Sequence, residues 1–314
     1  MSTDRLPVPG GNVSDDDAVV IGRFAPSPTG PLHFGSLVAA LGSWLSARSR
    51  GGRWLLRIDD IDPERAVPGA ADAIQRALEA CGLTWDGPVI YQSQRLERYA
   101  EALAALRQAG HLYPCSCSRR CLAGRTRRGP LGPIYPGICR DRSVPEGGES
   151  AWRFRVPRDP PAFTDQLQPS PPLDLPGRVG DVIVSRRNGW PAYHLATAVD
   201  DACPAITEVV RGGDLLWTTP VQIALMQALG LTPPSYRHLP LALGNDGQKL
   251  SKQTHAPALR AADTRRTLHR ALCFLRQHPP PDAADAPVSE QLDWARHHWR
   301  PEPLRGVAGS KVAG

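Results

Sequence analysis

The sequence predicts an α/β protein built on a parallel sheet, and three adjoining stretches near its start carry that expectation. "AVVIGRFA", residues 18–25, is an apolar, β-branched run closed by Pro26 and reads as a buried strand. After the turn "PSPTGP", the residues Leu37, Ala40, Leu41, Trp44 and Leu45 recur at the spacing of one helix face. "RWLLRI" then supplies a second strand. A strand, a glycine-proline turn, a helix and a strand make one βαβ unit, which implies a parallel sheet.

The later elements are read in order. Helical patterns run at about 69–82 and 94–110, while residues 115–150 are rich in cysteine, arginine and glycine without period. "PRDPPAFTDQLQPSPPLDLPG" (157–177) carries too many prolines for regular structure and is expected as a loop or a meander edge. "DVIVSR", "ITEVVRG" and "RHLPLAL" read as strands, with a helix at about 218–230 between the last two. One or two helices are expected between 253 and about 300, then a polar tail, and no internal repeat is visible.

At 314 residues and 34.0 kDa the chain is long enough for one large or two modest domains, and 41% hydrophobic with 22% charged residues is ordinary for a globular protein. No apolar run approaches a membrane span of roughly 20 residues, and the partly acidic start "MSTDRLPVPGGNVSDDDA" has no apolar signal core, so a cytoplasmic protein with no membrane partner is expected. A net charge of +6 and a pI near 9.1 suit a polyanionic partner, although GC-biased coding also enriches arginine. The seven cysteines are odd in number and scattered, which argues against a disulfide framework. Four of them lie between 115 and 139, and that clustering favours metal: Cys115, Cys117 and Cys139 supply three zinc ligands, with Cys121 available as a fourth.

Two stretches point to phosphate chemistry. "RFAPSPTGPLHFGS" places a sharp turn after a strand and opens a helix at about His33, where unpaired amides and a partial positive charge favour phosphate. His33 adds a side-chain donor there, and Gly35, without a Cβ, lets a flat base lie on the backbone. "GNDGQKLSKQT" holds Lys249 and Lys252, two of only three lysines among 37 basic residues. Lysine is a compact point charge on a flexible stem, which phosphate chemistry can require where a planar arginine fork would not fit.

Taken together, "PSPTGPLHFGS" and "KLSKQ" lie in the order and wording of one family: the chain resembles the class I glutamyl-tRNA synthetases from about 19 to 260. "GRFAPSPTG" is typical of the glutamate-specific members. A full synthetase of this kind continues for some 200 residues past its lysine loop into an anticodon-binding domain, whereas about 60 follow here. The resemblance is therefore to the truncated paralogues, the glutamyl-queuosine tRNA(Asp) synthetases, which place glutamate on the queuosine base in the anticodon of tRNA(Asp). "VRGGDLL", "HLPLAL" and "HAPAL" share that likeness.

The resemblance implies a Rossmann-like catalytic domain over 18–260, with a zinc-binding, acceptor-type subdomain inserted at about 111–180. It would be flanked by a disordered leader (1–17), a short helical region (261–300) and a disordered tail (301–314). It implies a ligase that needs no covalent nucleophile, takes ATP with Mg²⁺, L-glutamate and queuosine-containing tRNA(Asp), and acts as a monomer. Arg23, Phe24, Ala25, Pro26 and Ser27 would form part of the glutamate pocket, Arg23 pairing a substrate carboxylate fork to fork. Asp59, Tyr193 and Arg211 would complete it. His33, Gly35, Ser36 and Lys252 would bind ATP, with His33, Lys249 and Lys252 catalytic. Zinc would be structural, held by Cys115, Cys117, Tyr135 and Cys139, so the family favours Tyr135 over Cys121 as the fourth ligand.

The chain departs from the pattern of the full synthetases at three places: Asp59 replaces the glutamate of Arg-Ile-Glu-Asp, Ser36 replaces a second histidine, and Gln253 replaces the serine common after the second lysine; the last two changes match the truncated paralogues. The segment "SRRCLAGRTRRGPLG" is longer than the family's zinc site needs, and its arginines suit the phosphates of a tRNA stem as well as they suit a solvated loop. Two other readings stand beside queuosine modification: glutamylation of an ordinary tRNA 3′ end, and an RNA- or nucleotide-binding module without catalysis, for which the Asp59 departure is the motive.

Overall fold

A computed structural model describes residues 19–142, 150–172, 174–202, 206–244, 246–250, 258–259 and 263–312. The expected leader and Lys252 lie outside them.

The predicted βαβ unit forms from β1 (Ile21–Phe24), α1 (Phe34–Arg48) and β2 (Arg53–Ile58), with β1 and β2 parallel and Arg23 opposite Leu55. After α2 (Ala70–Ala80), the short β3 (Ile90–Tyr91) extends the sheet in parallel beside β2. α3 (Leu96–Gln108) follows. The second half of the sheet comes from the far side of a long insertion: α6 (Tyr193–Ala202) leads to β9 (Glu208–Gly212), and α7 (Thr219–Ala228) to β10 (Ser235–Leu239), again parallel to β9. The amide of Thr207 donates to the Ile21 carbonyl at 3.0 Å, which sets β9 beside β1. The spatial order is thus β3-β2-β1-β9-β10, and chain order reverses between β1 and β9. In doubly wound sheets, that reversal opens the ligand crevice at the carboxyl ends of the strands.

The insertion contains β4 (Leu112–Cys115), α4 (Arg119–Leu122), a hairpin of β5 (Arg127–Gly129) and β6 (Gly132–Ile134), β7 (Ala151–Phe154), α5 (Leu175–Arg178) and β8 (Ile183–Ser185). β4, β7 and β8 pair antiparallel, in the order β4-β7-β8. The aperiodic cysteine-rich stretch therefore does hold short elements, too brief for periodicity to reveal. Residues 157–172 are without helix or strand apart from a bridge at Asp165, as the prolines imply.

One face of the sheet packs on α1, whose buried Leu37, Leu41 and Leu45 join Trp54, Leu56 and Ile58 of β2. The same core takes Leu268, Ala271 and Leu272 from α8 (Thr264–Phe274) and Leu292 and Ala295 from α9 (Val288–His298), so the C-terminal helices are part of the sheet's own packing. The stretch read as one strand, "RHLPLAL", is divided at Pro240 into β10 and β11 (Leu241–Leu243), because proline has no amide to continue a ladder. The expected disordered tail is corrected at its described end: β12 (Gly309–Lys311) pairs in parallel with β11, and Val312 donates its amide to Leu243 at 3.0 Å. β11 has an open edge for a partner, and the backbone groups of the tail satisfy it despite a polar sequence.

Candidate active site

The carboxyl ends of β1, β9 and β10 and the amino end of α1 enclose a cleft of about 530 Å³. Its lining gathers Phe24, Ala25, Pro26 and Ser27 after β1, His33, Gly35 and Ser36 at α1, Asp59 after β2, Tyr193 at the start of α6, and Lys249. Ten of the residues singled out in the sequence thus meet in one place, from segments spread over more than 200 positions. Thr29, Arg65, Asp214 and Leu215 line it as well, and none of them is among the expected site residues.

His33 is the N-cap of α1: its Nδ1 accepts from the Ser36 amide at 3.3 Å, and its Nε2 lies 3.1 Å from Ser36 Oγ. A Cβ on Gly35 would lie 3.2 Å from the His33 ring and 3.5 Å from the Leu250 carbonyl, so only glycine leaves this turn of backbone open as a flat platform. Described residues on either side of 251–257 also lie here. Leu250 lines the cleft, and Ala258 forms a bridge with His33 while Leu259 donates to the Leu32 carbonyl at 3.0 Å. Lys249 forms an ion pair with Asp214, which sits just past β9.

Behind the cleft wall lies a buried charge network. Asp59, 7% exposed, is held by Arg57 through Nε at 2.6 Å and Nη2 at 3.3 Å. Arg57 also donates to Asp201 at 2.7 Å, and Asp201 accepts from Arg23 through Nε at 3.1 Å and Nη2 at 2.9 Å. Asp200 accepts from Gln92, Arg95 and Tyr99 at 2.9, 2.8 and 2.7 Å. Burial pushes the Asp59 carboxyl up to about 6, more than the Arg57 guanidinium pulls it down. Asp201 is equally buried, but Arg23 and Arg57 outweigh burial and hold its carboxyl well below the usual carboxylate range.

The network alters one expectation. Arg23 was expected to offer its two-nitrogen edge to substrate, but that edge is engaged by Asp201 and only Nη1, 3.4 Å from the Val210 carbonyl, points elsewhere. Arg211 is the complementary case. It is 5% exposed, its Nη2 donates to Thr219 and Gln222 at 2.8 Å each, and its Nε faces His238 Nε2 at 3.2 Å. Its Nη1 is buried without an acceptor among the described residues. Its field, added to burial, pushes His194 down to about 4, so that histidine is neutral.

The cysteine cluster forms a second site. The thiols of Cys115, Cys117 and Cys139 all lie within 4.8 Å of one another. The Tyr135 hydroxyl stands among them, 3.4 Å from Cys115 Sγ and 3.5 Å from Cys117 Sγ, and it accepts the Cys139 amide at 2.8 Å. Burial disfavours ionisation here and pushes Cys117 up to about 12, yet hydrogen bonds led by Tyr135 bring Cys139 down to about 7. Three sulfurs and a phenol oxygen around one point fit a tetrahedral zinc ion. Cys121, on α4, is not among the three grouped thiols. Arg153, which the sequence reading missed, lies 3.7 Å over the Tyr135 ring and donates to Cys115 Sγ at 3.3 Å.

Residues 19–276 match the catalytic-domain model of the class I tRNA synthetases (E and Q). Over 281 residues the chain is 51% identical to a glutamyl-Q tRNA(Asp) synthetase of Dechloromonas aromatica, covering 88% of this chain and 93% of the relative. The chain belongs to the glutamyl-Q tRNA(Asp) synthetases, within the class I tRNA synthetases. A second such synthetase, from Yersinia pseudotuberculosis, is 52% identical over 91% of this chain and 85% of its own length. Among solved structures, a glutamate tRNA ligase from Elizabethkingia meningosepticum in complex with its amino acid superposes with a TM-score of 0.77. That likeness covers 94% of this chain and 67% of the ligase, and at 24% identity it speaks for the fold that class I glutamate ligases share with this synthetase. No helix among the described residues is long and apolar enough to cross a membrane.

Proposed function

We propose that this chain activates L-glutamate with ATP and transfers it to the queuosine base in the anticodon of tRNA(Asp). The observation that carries the reading is identity of about half over nearly the whole length of glutamyl-Q tRNA(Asp) synthetases, with the cleft residues in place. Asp59 and Tyr193 receive the substrate ammonium, and the unsatisfied Nη1 of Arg211, with Nη1 of Arg23, receives the side-chain carboxylate. The α-carboxylate then faces the amino end of α1, where His33 and the Gly35 backbone hold the nucleotide. A carboxylate oxygen attacks the α-phosphorus of ATP, the bond to the β-phosphate oxygen breaks, and pyrophosphate leaves with the electron pair. Lys249 exchanges Asp214 for the departing phosphates, and Lys252 adds its charge to them. ATP arrives as its Mg²⁺ complex. A hydroxyl of the queuosine cyclopentene ring attacks the adenylate carbonyl, and AMP leaves.

Cys115, Cys117, Tyr135 and Cys139 would hold a zinc ion, which would serve structure, since four protein ligands leave no position for substrate.

Labelled glutamate offered to tRNA(Asp) from cells with and without queuosine tests the acceptor. Label is expected only on the queuosine-containing tRNA, and equal label on both returns the chain to 3′-end charging. Glutamate-dependent exchange of pyrophosphate into ATP without tRNA tests activation, with Lys252→Ala as the control expected to lose on the order of 10² in rate. No exchange in the wild-type chain would leave only a binding module.

A further inference from the structure

We infer that the β5–β6 hairpin and α4 form an arginine grip for the phosphate backbone of an RNA stem, set at the rim of the active-site cleft. The inference rests on the proposed RNA-directed ligase and adds to it the surface that holds the RNA. Residues 118–142 contain seven arginines and one acidic residue, Asp141. Arg140 is accounted for inside the fold, where it pairs with Asp181 at 2.6 Å, and the one acid, Asp141, lies 3.5 Å from Arg155. Five others, Arg119, Arg120, Arg125, Arg127 and Arg128, are exposed, and none forms a salt bridge with a carboxylate among the described residues. Five exposed cations with no carboxylate paired to them among the described residues repel one another unless polyanion covers them, and guanidinium forks match phosphate oxygens.

The patch is also fixed relative to the cleft. Its two ends are the cysteine cluster, with Cys117 before it and Tyr135 and Cys139 after it. A Cβ on Gly129 would fall 2.3 Å from the Arg178 carbonyl, so the hairpin lies backbone to backbone against α5. Arg178 in turn stacks 5.9 Å over Trp217, in the same helical turn as the cleft residues Asp214 and Leu215. On the other side, Arg187 donates to the Ser116 carbonyl at 2.5 Å, close in sequence to Tyr193 of the cleft. An RNA stem lying on the hairpin therefore has its loop beside the cleft, which is the placement that chemistry on a loop nucleotide requires.

The test uses the full chain with Arg125→Ala, Arg127→Ala and Arg128→Ala combined, and a control of equal charge loss at the exposed Arg296, Arg300 and Arg305 near and after α9. Binding of tRNA(Asp) is measured over a series of potassium chloride concentrations, and pyrophosphate exchange is measured without tRNA. Each phosphate contact contributes about 0.7–0.9 to the slope of log K against log salt, so the hairpin triple should flatten the slope by about 2–3 and weaken binding by more than about tenfold. Exchange should be unchanged, which shows that the fold and the glutamate site are intact. Unchanged affinity and slope, or an equal loss in the control, overturns the grip. A wild-type chain that binds no tRNA would instead overturn the RNA reading itself.

Discussion

Asp59→Asn isolates the carboxylate proposed to meet the substrate ammonium. The carboxylate is 7% exposed, lines the cleft and is fixed by Arg57 at 2.6 and 3.3 Å. Asparagine keeps the shape and one acceptor oxygen but removes the charge that, in the proposed reading, meets the substrate ammonium. A charge-assisted hydrogen bond contributes about 1.5–3 kcal/mol, so KM for glutamate in the exchange reaction should rise by about tenfold to a hundredfold. The pH profile gives a second, independent readout. With the carboxyl raised to about 6, wild-type glutamate affinity should improve about tenfold per pH unit up to 6 and then level off. The same shift has the opposite sign for folding: a carboxyl raised above its unfolded value contributes stability below about pH 4 that is lost as pH rises through 6. In the proposed reading the site thus accepts a cost in stability at neutral pH for an ionised ammonium partner. An Asn variant with wild-type KM and the same step near pH 6 would refute the assignment.

Asp201→Asn should lower stability by about 3–5 kcal/mol, because it leaves the buried Arg23 and Arg57 without their shared carboxylate. At about 2–4 °C per kcal/mol for a chain of this size, thermal melting should fall by roughly 10 °C, and a variant melting within about a degree of wild type would show the network to be dispensable. Elemental analysis of protein purified without added metal should find one zinc per chain, retained in Cys121→Ser and lost in Cys139→Ser. Less than about a tenth of an equivalent in the wild-type chain, or loss in the Cys121 variant, would sink the ligand set.

Periodicity made the first half of the sheet legible, since "RWLLRI" is β2 itself and the Leu37 to Leu45 face is the buried face of α1. Wording, more than physics, marked the cleft residues, because nothing in the spacing of Asp59 and Tyr193 tells that they meet across 134 positions. Short elements escaped: β5 and β6 have three residues each, too few for an alternating pattern. The tail escaped because β12 pairs through its backbone, and its polar side chains carry no trace of that. The buried network did leave a mark that went unread. "AVDDA" places two carboxylates in an otherwise apolar helix, and charges so placed are buried only when paired.

The same network explains how a shorter carboxylate serves at position 59. Arg57 is the penultimate residue of β2 and Asp59 follows just past the strand's end, and residues two apart in extended backbone share a face, so Arg57 reaches the carboxylate directly. Arg57 is in turn fixed by Asp201, and Asp201 by Arg23, in a chain of contacts that joins the proposed ammonium contact to the proposed carboxylate contact. Loss of one methylene draws the charge toward β2, where Arg57 holds it, and away from the cleft centre. The ammonium contact then spans a longer gap, which one ordered water can bridge at little enthalpic loss. Asp59→Glu separates this account from simple tolerance of a smaller residue. Restoring the methylene forces the carboxylate off its short bond to Arg57, so tighter glutamate binding should come with lower thermal stability, and a gain in both would show that Arg57 does not set the position of the charge.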